Sequence, residues 1–278
     1  MTFSPVIPLS GGAGWALLQR VEDTQRQVFS NRSDLARETA YFRENVSRMV
    51  EPADLVADRR VLEVALTAFG LEEEIGKGAF VQRVLESDLS DPGSFVNRLV
   101  DRRYREFAEA FGYGSILGPR ILEPDFAERV VESYNDRRFE IAVGESDPAL
   151  RLALNARREL ARLASAGGAE DAGWFAVLGD LPLREVVEGA LGLPSEFAQL
   201  DVDLQNQEIG DRMRASFGVE SLADLSDPAI LDDVVRRYVI RDASQNGATA
   251  ITPGSTALTL LSGGLGGGAA QSLILSSA

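Results

Sequence analysis

The 278-residue chain contains no histidine and no cysteine, so its reactive side chains come from 43 aspartates and glutamates, arginine, tyrosine, serine, threonine and one lysine, Lys77. That absence removes whole classes of chemistry. Ser-His-Asp and Cys-His triads, HExxH zinc sites and imidazole general bases all need residues the chain lacks. Disulfide frameworks and thiolate metal sites are excluded in the same way. A cysteine-free chain suits the cytoplasm and an export route equally.

Spacing separates the remaining motifs from the sites they resemble. "IGKGAF" around Lys77 resembles a phosphate loop, but Gly78 follows the lysine, no strand precedes it, and the G-x-x-x-x-G-K-[ST] spacing is missing. "SGGAG" at 10–14 and "GGLGGG" at 263–268 are glycine-rich, yet neither follows a strand, so neither is a dinucleotide fingerprint. "DVD" at Asp201–Asp203 and "LDD" at Leu231–Asp233 lack the spacing of a metal loop or a glycosidase pair and read as solvated faces. "DRR" begins at Asp58, Asp101 and Asp136, and "RRY" spans Arg102–Tyr104 and Arg236–Tyr238. Clustered arginines bind anions. In so acidic a chain, pairing with its own carboxylates is the expected role. No catalytic constellation, metal site or cofactor site is expected. A pocket in which carboxylates and arginines converge would reopen the question of an enzyme.

The elements that position these residues are helical. A net charge of −15 and a pI near 4.6 disfavour nucleic-acid and anionic membrane partners. Length is ample for a hydrophobic core, and no secretory signal or run of apolar residues long enough to span a membrane is visible. Trp15, Leu18, Val21, Gln25 and Val28 recur at helical steps, and Leu35, Thr39, Phe42, Val46 and Met49 form a heptad-like seam. "SDP" occurs three times, placing Asp91, Asp147 and Asp227 as helix N-caps with proline at the first helical position. "TAFGL" ends a run at Gly70, and Gly112, Gly192 and Gly218 repeat the pattern of an apolar helix, a glycine and an apolar residue. That is the signature of a left-handed helix stop. Glu72, Glu73 and Glu74 suit the first turn of the next helix. Strand signals are nearly absent.

The expected fold is all-α, a bundle-like body of roughly nine or ten helices with flexible ends. Residues 1–14 are expected to be a flexible segment, 15–112 an N-terminal helical bundle and 113–244 a second helical unit. Residues 245–278 are expected to be a Gly/Ser-rich tail. Two apolar islands in that tail, Leu258, Leu260 and Leu261 and then Leu273, Ile274 and Leu275, are candidate partner-binding residues.

"RETAYFRENVSRMVEPADLVADRRVLEVALTAFGLEEEI", "VLESDLSDPGSFVNRLVDRRYREFAEAFG", "LPLREVVEGALGLPSEFAQLD" and "LSDPAILDDVVRRYV" follow in order through most of 37–241. In these the chain resembles the domain-of-unknown-function 1217 family, alphaproteobacterial proteins often encoded among flagellar genes. The family brings no known activity and no catalytic residues. The resemblance implies a flagellum-linked, non-enzymatic structural or assembly role through protein contacts, with a flagellar component as partner. The alternative is a cytoplasmic chaperone or adaptor for a flagellar axial protein. Either places the chain in the bacterial cytoplasm or at the flagellum.

Overall fold

A computed structural model describes residues 3–169 and 173–246 of the chain. Twelve α-helices and no strand are present among the described residues. They are α1 Gly11–Ser30, α2 Ser33–Asn45, α3 Pro52–Ala57, α4 Arg59–Ala68, α5 Gly78–Leu85, α6 Arg102–Phe111, α7 Phe126–Gly144, α8 Pro148–Ala164, α9 Phe175–Leu178, α10 Leu181–Leu191, α11 Val202–Phe217 and α12 Pro228–Asn246. Short 3-10 turns interrupt them, including Val46–Arg48, Glu72–Glu74 and Val96–Arg98.

Helix α8 is the axis of the molecule. Alanines and leucines cover its surface on several sides, with Ala149, Leu150, Ala153, Leu154, Ala156 and Leu160 buried. Small residues at three- and four-step spacing let neighbours approach closely. It packs against α7, α10 and α12, with α1 on a further side. Helix α7 in turn lies along α4, and α2 lies on α4 as well. One hydrophobic core therefore runs from Trp15 and Phe42 through Phe111 and Phe139 to Val235. It crosses Gly112 without a gap.

Helix starts and stops follow side-chain and backbone hydrogen bonds. Asp147 accepts from Ala149 N at 3.0 Å and Leu150 N at 3.3 Å, and Asp227 accepts from Ala229 N at 2.8 Å, so both sit where "SDP" places them. Asp91 differs. Its carboxylate accepts from Gly93 N at 2.8 Å, and its carbonyl accepts from Asn97 Nδ2 at 2.8 Å, closing a turn instead of a helix. Gly93 weakens helix formation at the position where Ala149 and Ala229 favour it. Val96 N is drawn to Ser87 Oγ, and only the 3-10 turn Val96–Arg98 forms.

The helix starts near Asp91 are supplied elsewhere, by "DRR". Asp58 accepts from Arg60 N and Val61 N at 3.0 and 3.1 Å to open α4, and Asp101 accepts from Arg103 N at 2.9 Å to open α6. Ahead of Gly11, Val6 exchanges hydrogen bonds with the Gln25 side chain, and Arg32 donates to Phe3 O at 2.9 Å. Two further expectations are corrected. Glu72–Glu74 forms its own 3-10 turn and not the first turn of α5. Val28 is exposed, while Glu22, outside the expected stripe of α1, is buried.

Gly70, Gly112, Gly192 and Gly218 all hold left-handed φ between 65° and 72°. At Gly70 the closure is a Schellman motif: Gly70 N donates to Thr67 O at 3.0 Å and Leu71 N to Leu66 O at 2.9 Å. Leu71 folds back into the core at 3% exposure. A Cβ on Gly70 would stand 3.3 Å from Arg137 Cζ and 3.5 Å from Arg103 Nη1. Gly70→Val combines backbone strain with this crowding. It should cost on the order of 1 kcal/mol or more, read as a lower melting temperature by circular dichroism. An unchanged melting temperature would contradict the assignment.

Candidate functional site: an arginine–glutamate cavity and an apolar loop

Helices α7 and α8 bring a charged cluster into the interior. Asn155, Arg158, Glu159 and Arg162 share one face of α8, and Arg137 and Glu140 face them from α7. Arg137 donates to Glu159 Oε1 at 3.1 Å and to Asn155 Oδ1, and its Nη1 lies 3.5 Å from Glu140 Oε2. Arg158 donates Nε to Glu140 Oε1 at 2.9 Å and Nη1 to Glu159. Arg162 donates Nε to Glu159 Oε2 at 2.7 Å and Nη2 to Glu106 Oε1, on α6, at 3.0 Å. Glu140 and Glu159 are 1% and 6% exposed, which only such pairing permits.

The electrostatics follow from this packing. Burial works to raise Glu159, but Arg158, Arg137 and Arg162 outweigh it and hold the carboxyl down at about 2. Burial works to lower Arg158, and Glu140 and Glu159 overcome it, so its charge is reinforced. Arg137 is the exception. Burial and the neighbouring Arg158 lower it in spite of Glu140 and Glu159. The guanidinium stays charged at ordinary pH.

Arg137, Arg158, Glu159 and Arg162 of the cluster form the base of an open cavity of about 320 Å³ between α4, α6, α7 and α8. Ala68, Phe69 and Ala110 supply apolar wall, and Glu106, Glu109, Arg120, Ser133 and Arg162 complete the lining. Phe69 packs edge-on to Phe107 with ring centroids 5.4 Å apart. At neutral pH Glu159 is a fixed anion rather than a proton shuttle. The arrangement is suited to binding charge.

A second feature adjoins it. Between α6 and α7 the chain runs over a loop whose Ile116, Leu117 and Leu122 are 93%, 95% and 71% exposed. The loop is pinned at both ends. Tyr113 donates its hydroxyl to Met49 O, Arg120 N donates to Phe111 O at 2.8 Å, and Ile121 and Phe126 are buried. Gly118 N donates to Ser115 O at 3.0 Å and Leu117 N to Ser115 Oγ at 3.2 Å, closing the tip. Arg120 belongs to this loop and also lines the cavity.

These two features fall on residues that the sequence reading did not single out. The signal for the cavity was the third "DRR", at Asp136, which lies inside α7 and sends Arg137 inward. The signal for the loop was "YGSILGPRIL", whose large apolar residues lie between glycines and a proline. The tail candidates Leu258, Leu260, Leu261, Leu273, Ile274 and Leu275 lie outside the described residues. Asp91, Asp147 and Asp227 and the four stop glycines are dispersed through the fold; of these only Gly70 adjoins the cavity cluster, through Arg137. Among the described residues no group of acidic side chains is placed to hold a metal ion, and no helix is long and apolar enough to cross a membrane.

Fold and site together define an all-helical protein built round a buried arginine–carboxylate cluster. The chain belongs to the family described as Protein of unknown function (DUF1217), whose profile matches residues 68–231. It is also similar to the X-ray crystal structure of protein AGR_C_984 from Agrobacterium tumefaciens, at 26% identity and a TM-score of 0.68. That likeness covers 88% of this chain and 100% of the other. No curated protein matches the chain.

Glu159 makes the cluster's contribution to stability pH-dependent. Its folded pKa, about 2, lies below the ordinary 4.5, so its stabilisation is complete above about pH 4.5 and lost as pH falls toward 2. The size is on the order of 3 kcal/mol. Asp136 and Asp180, both raised chiefly by burial, act in the opposite sense. Glu159→Leu leaves Arg137 and Arg158 short of a partner and should cost about 3–5 kcal/mol at pH 7. Urea unfolding from pH 7 to pH 2.5 checks both: the wild-type advantage over the variant should shrink through the acid range. An advantage independent of pH would refute the assignment.

Proposed function

We propose that the chain is a non-enzymatic structural or assembly protein that works through protein–protein contacts, with the loop at 113–122 as its contact element. The observation that carries this reading is the exposure of Ile116, Leu117 and Leu122 on a loop whose backbone is hydrogen-bonded in place. Large apolar side chains presented by an ordered loop lose little conformational entropy on binding, which is the economy of a contact hot spot. Glu109 and Glu123 stand near the loop against Arg120, and the chain as a whole carries −15. The partner surface this fits is an apolar recess with a basic rim. The flagellar setting is what the family resemblance implies, and a flagellar component is accordingly the proposed partner.

The test pairs a clean deletion with a point variant. Deletion should impair motility or filament assembly. Leu117→Asp should fold with the wild-type circular-dichroism spectrum and melting temperature yet fail to restore motility. Normal swimming in the deletion strain overturns the flagellar reading. Full rescue by Leu117→Asp overturns the role of the loop.

A further inference from the structure

We propose that the loop at 113–122 seats against a second copy of this chain, each copy placing its Ile116 in a recess at the foot of the other's loop. The inference rests on the reading of that loop as a contact element and names its partner. Two surfaces lie side by side there. One is a knob: Ile116 stands 93% exposed at the loop tip. The other is a recess of about 700 Å³, walled by Leu89, Leu117, Pro119 and Leu122 and rimmed by Glu109, Arg120 and Glu123. Ile116 lies outside that wall. A two-fold contact uses one patch on both partners, so the patch must hold a projection and a hollow together. This loop holds both. Gly118 N donates to Ser115 O at 3.0 Å across the tip, and Arg120 N donates to Phe111 O at 2.8 Å at the base, so knob and hollow keep their relative positions.

Charge fits the same partner. Two chains of −15 repel at long range, so a second copy can be met only on a face that is locally balanced. This face is. Residues 110–122 contain no aspartate or glutamate and one charge, Arg120. On the rim Glu123 accepts from Arg120 at 2.7 Å and from Arg129 at 2.8 Å, and Glu109 accepts from Arg105 at 2.7 Å. Asp88, next to Leu89 in the chain, adds one more carboxylate. With every paired side chain counted, Arg105, Arg120 and Arg129 balance Asp88, Glu109 and Glu123. A rim with charges of both signs lets a two-fold partner answer each with its opposite. The surface that the loop calls for, an apolar recess with basic residues at its edge, is therefore one the protein itself carries. Leu117 and Leu122, 95% and 71% exposed, are the wall that the partner's knob would cover. One loop and its recess are a smaller surface than the roughly 800 Å² that each partner buries in a stable complex, so the dimer is a reversible one.

Sedimentation velocity of the full-length protein over a wide concentration range is the test. Wild type should shift from monomer to dimer as concentration rises, and further toward dimer in high salt, which screens the repulsion between two −15 bodies. Ile116→Asp charges the knob and Leu117→Asp charges the recess. Each should weaken self-association about tenfold or more while keeping the wild-type melting temperature. The chain has no cysteine, so single substitutions locate the contact. Ile116→Cys copies mixed with Leu122→Cys copies should be joined by a short bis-maleimide from position 116 to position 122, read by mass spectrometry. Mixed with Arg212→Cys copies, altered on α11, they should give no product from 116 to 212. A wild type that stays monomeric at every concentration and salt overturns the proposal. So does a dimer that survives both aspartate variants, or cross-linking from 116 to 212 as readily as to 122. The contact role of the loop fails separately, by rescue of motility with Leu117→Asp. A monomeric wild type whose Leu117→Asp variant still fails to restore motility strikes only the second copy.

Discussion

Everything in this fold is arranged around the problem of helix α8, which must lie at the centre of the molecule while carrying Arg158, Glu159 and Arg162. A helix buried on several sides ordinarily excludes charge. Here α7 answers with Arg137 and Glu140 at the matching height, and α6 adds Glu106. Buried ion pairs add little net stability over an apolar core, because desolvation offsets attraction. Their effect is on register. Sliding α7 along α8 by one turn, 5.4 Å, would separate both ion pairs that cross between them, Arg137–Glu159 and Arg158–Glu140, at once. The apolar packing of alanines and leucines holds the helices together, and the charges decide at which level.

The same logic recurs on the opposite side of α8. Glu22, buried on α1, accepts from Arg26 at 2.7 Å and from Arg157 on α8. Arg157 also lies over the Trp15 ring, 5.3 Å from its centroid, while the indole nitrogen donates to Asp232 of α12 at 3.2 Å. The consecutive arginines 157 and 158 thus clamp two different partners, α1 and α7. Adjacent positions on a helix point about 100° apart, so one dipeptide can fix the central helix against two neighbours.

This explains what was legible in the sequence and what was not. Helix punctuation is local: Asp147 and Asp227 cap through amides two or three residues away, and Gly70 stops α4 through bonds to Thr67 and Leu66, so a reader of ten residues can find them. Asp91 shows the limit. It has the cap chemistry, but Gly93 and the pull of Ser87 on Val96 turn the chain away from helix, and the second of these is a contact nine residues back. "DRR" shows the limit more sharply. The same tripeptide caps α4 at Asp58 and α6 at Asp101, then at Asp136 sits mid-helix with Arg137 turned inward. Nothing within the three residues distinguishes these fates. At Asp136 the helix begun at Phe126 simply continues through the tripeptide. Internal arginine–carboxylate pairing was foreseeable from composition, but Arg137 meets Glu159 across 22 residues and Arg162 meets Glu106 across 56, so which pairs form is a property of packing. The exposed loop was hidden for the opposite reason. Isoleucine and leucine are read as core, and only the fold shows that Ile121 goes in while Ile116, Leu117 and Leu122 stay out.

The two features converge on one short stretch, and that convergence is structural before it is functional. "TAFGL" is a helix stop, yet each of its last three residues has a tertiary duty. Phe69 walls the cavity, Gly70 presents its carbonyl to Arg103 and its bare α-carbon to Arg137, and Leu71 re-enters the core. A left-handed stop that required only conformational freedom would accept asparagine almost as readily as glycine. At Gly70 any side chain would also meet two guanidinium groups. The glycine that ends α4 therefore sets how closely Arg137 approaches the end of α4, beside its bonds to Glu159 and Asn155. Through Phe69 and Arg120 the wall of that cavity is shared with the base of the exposed loop.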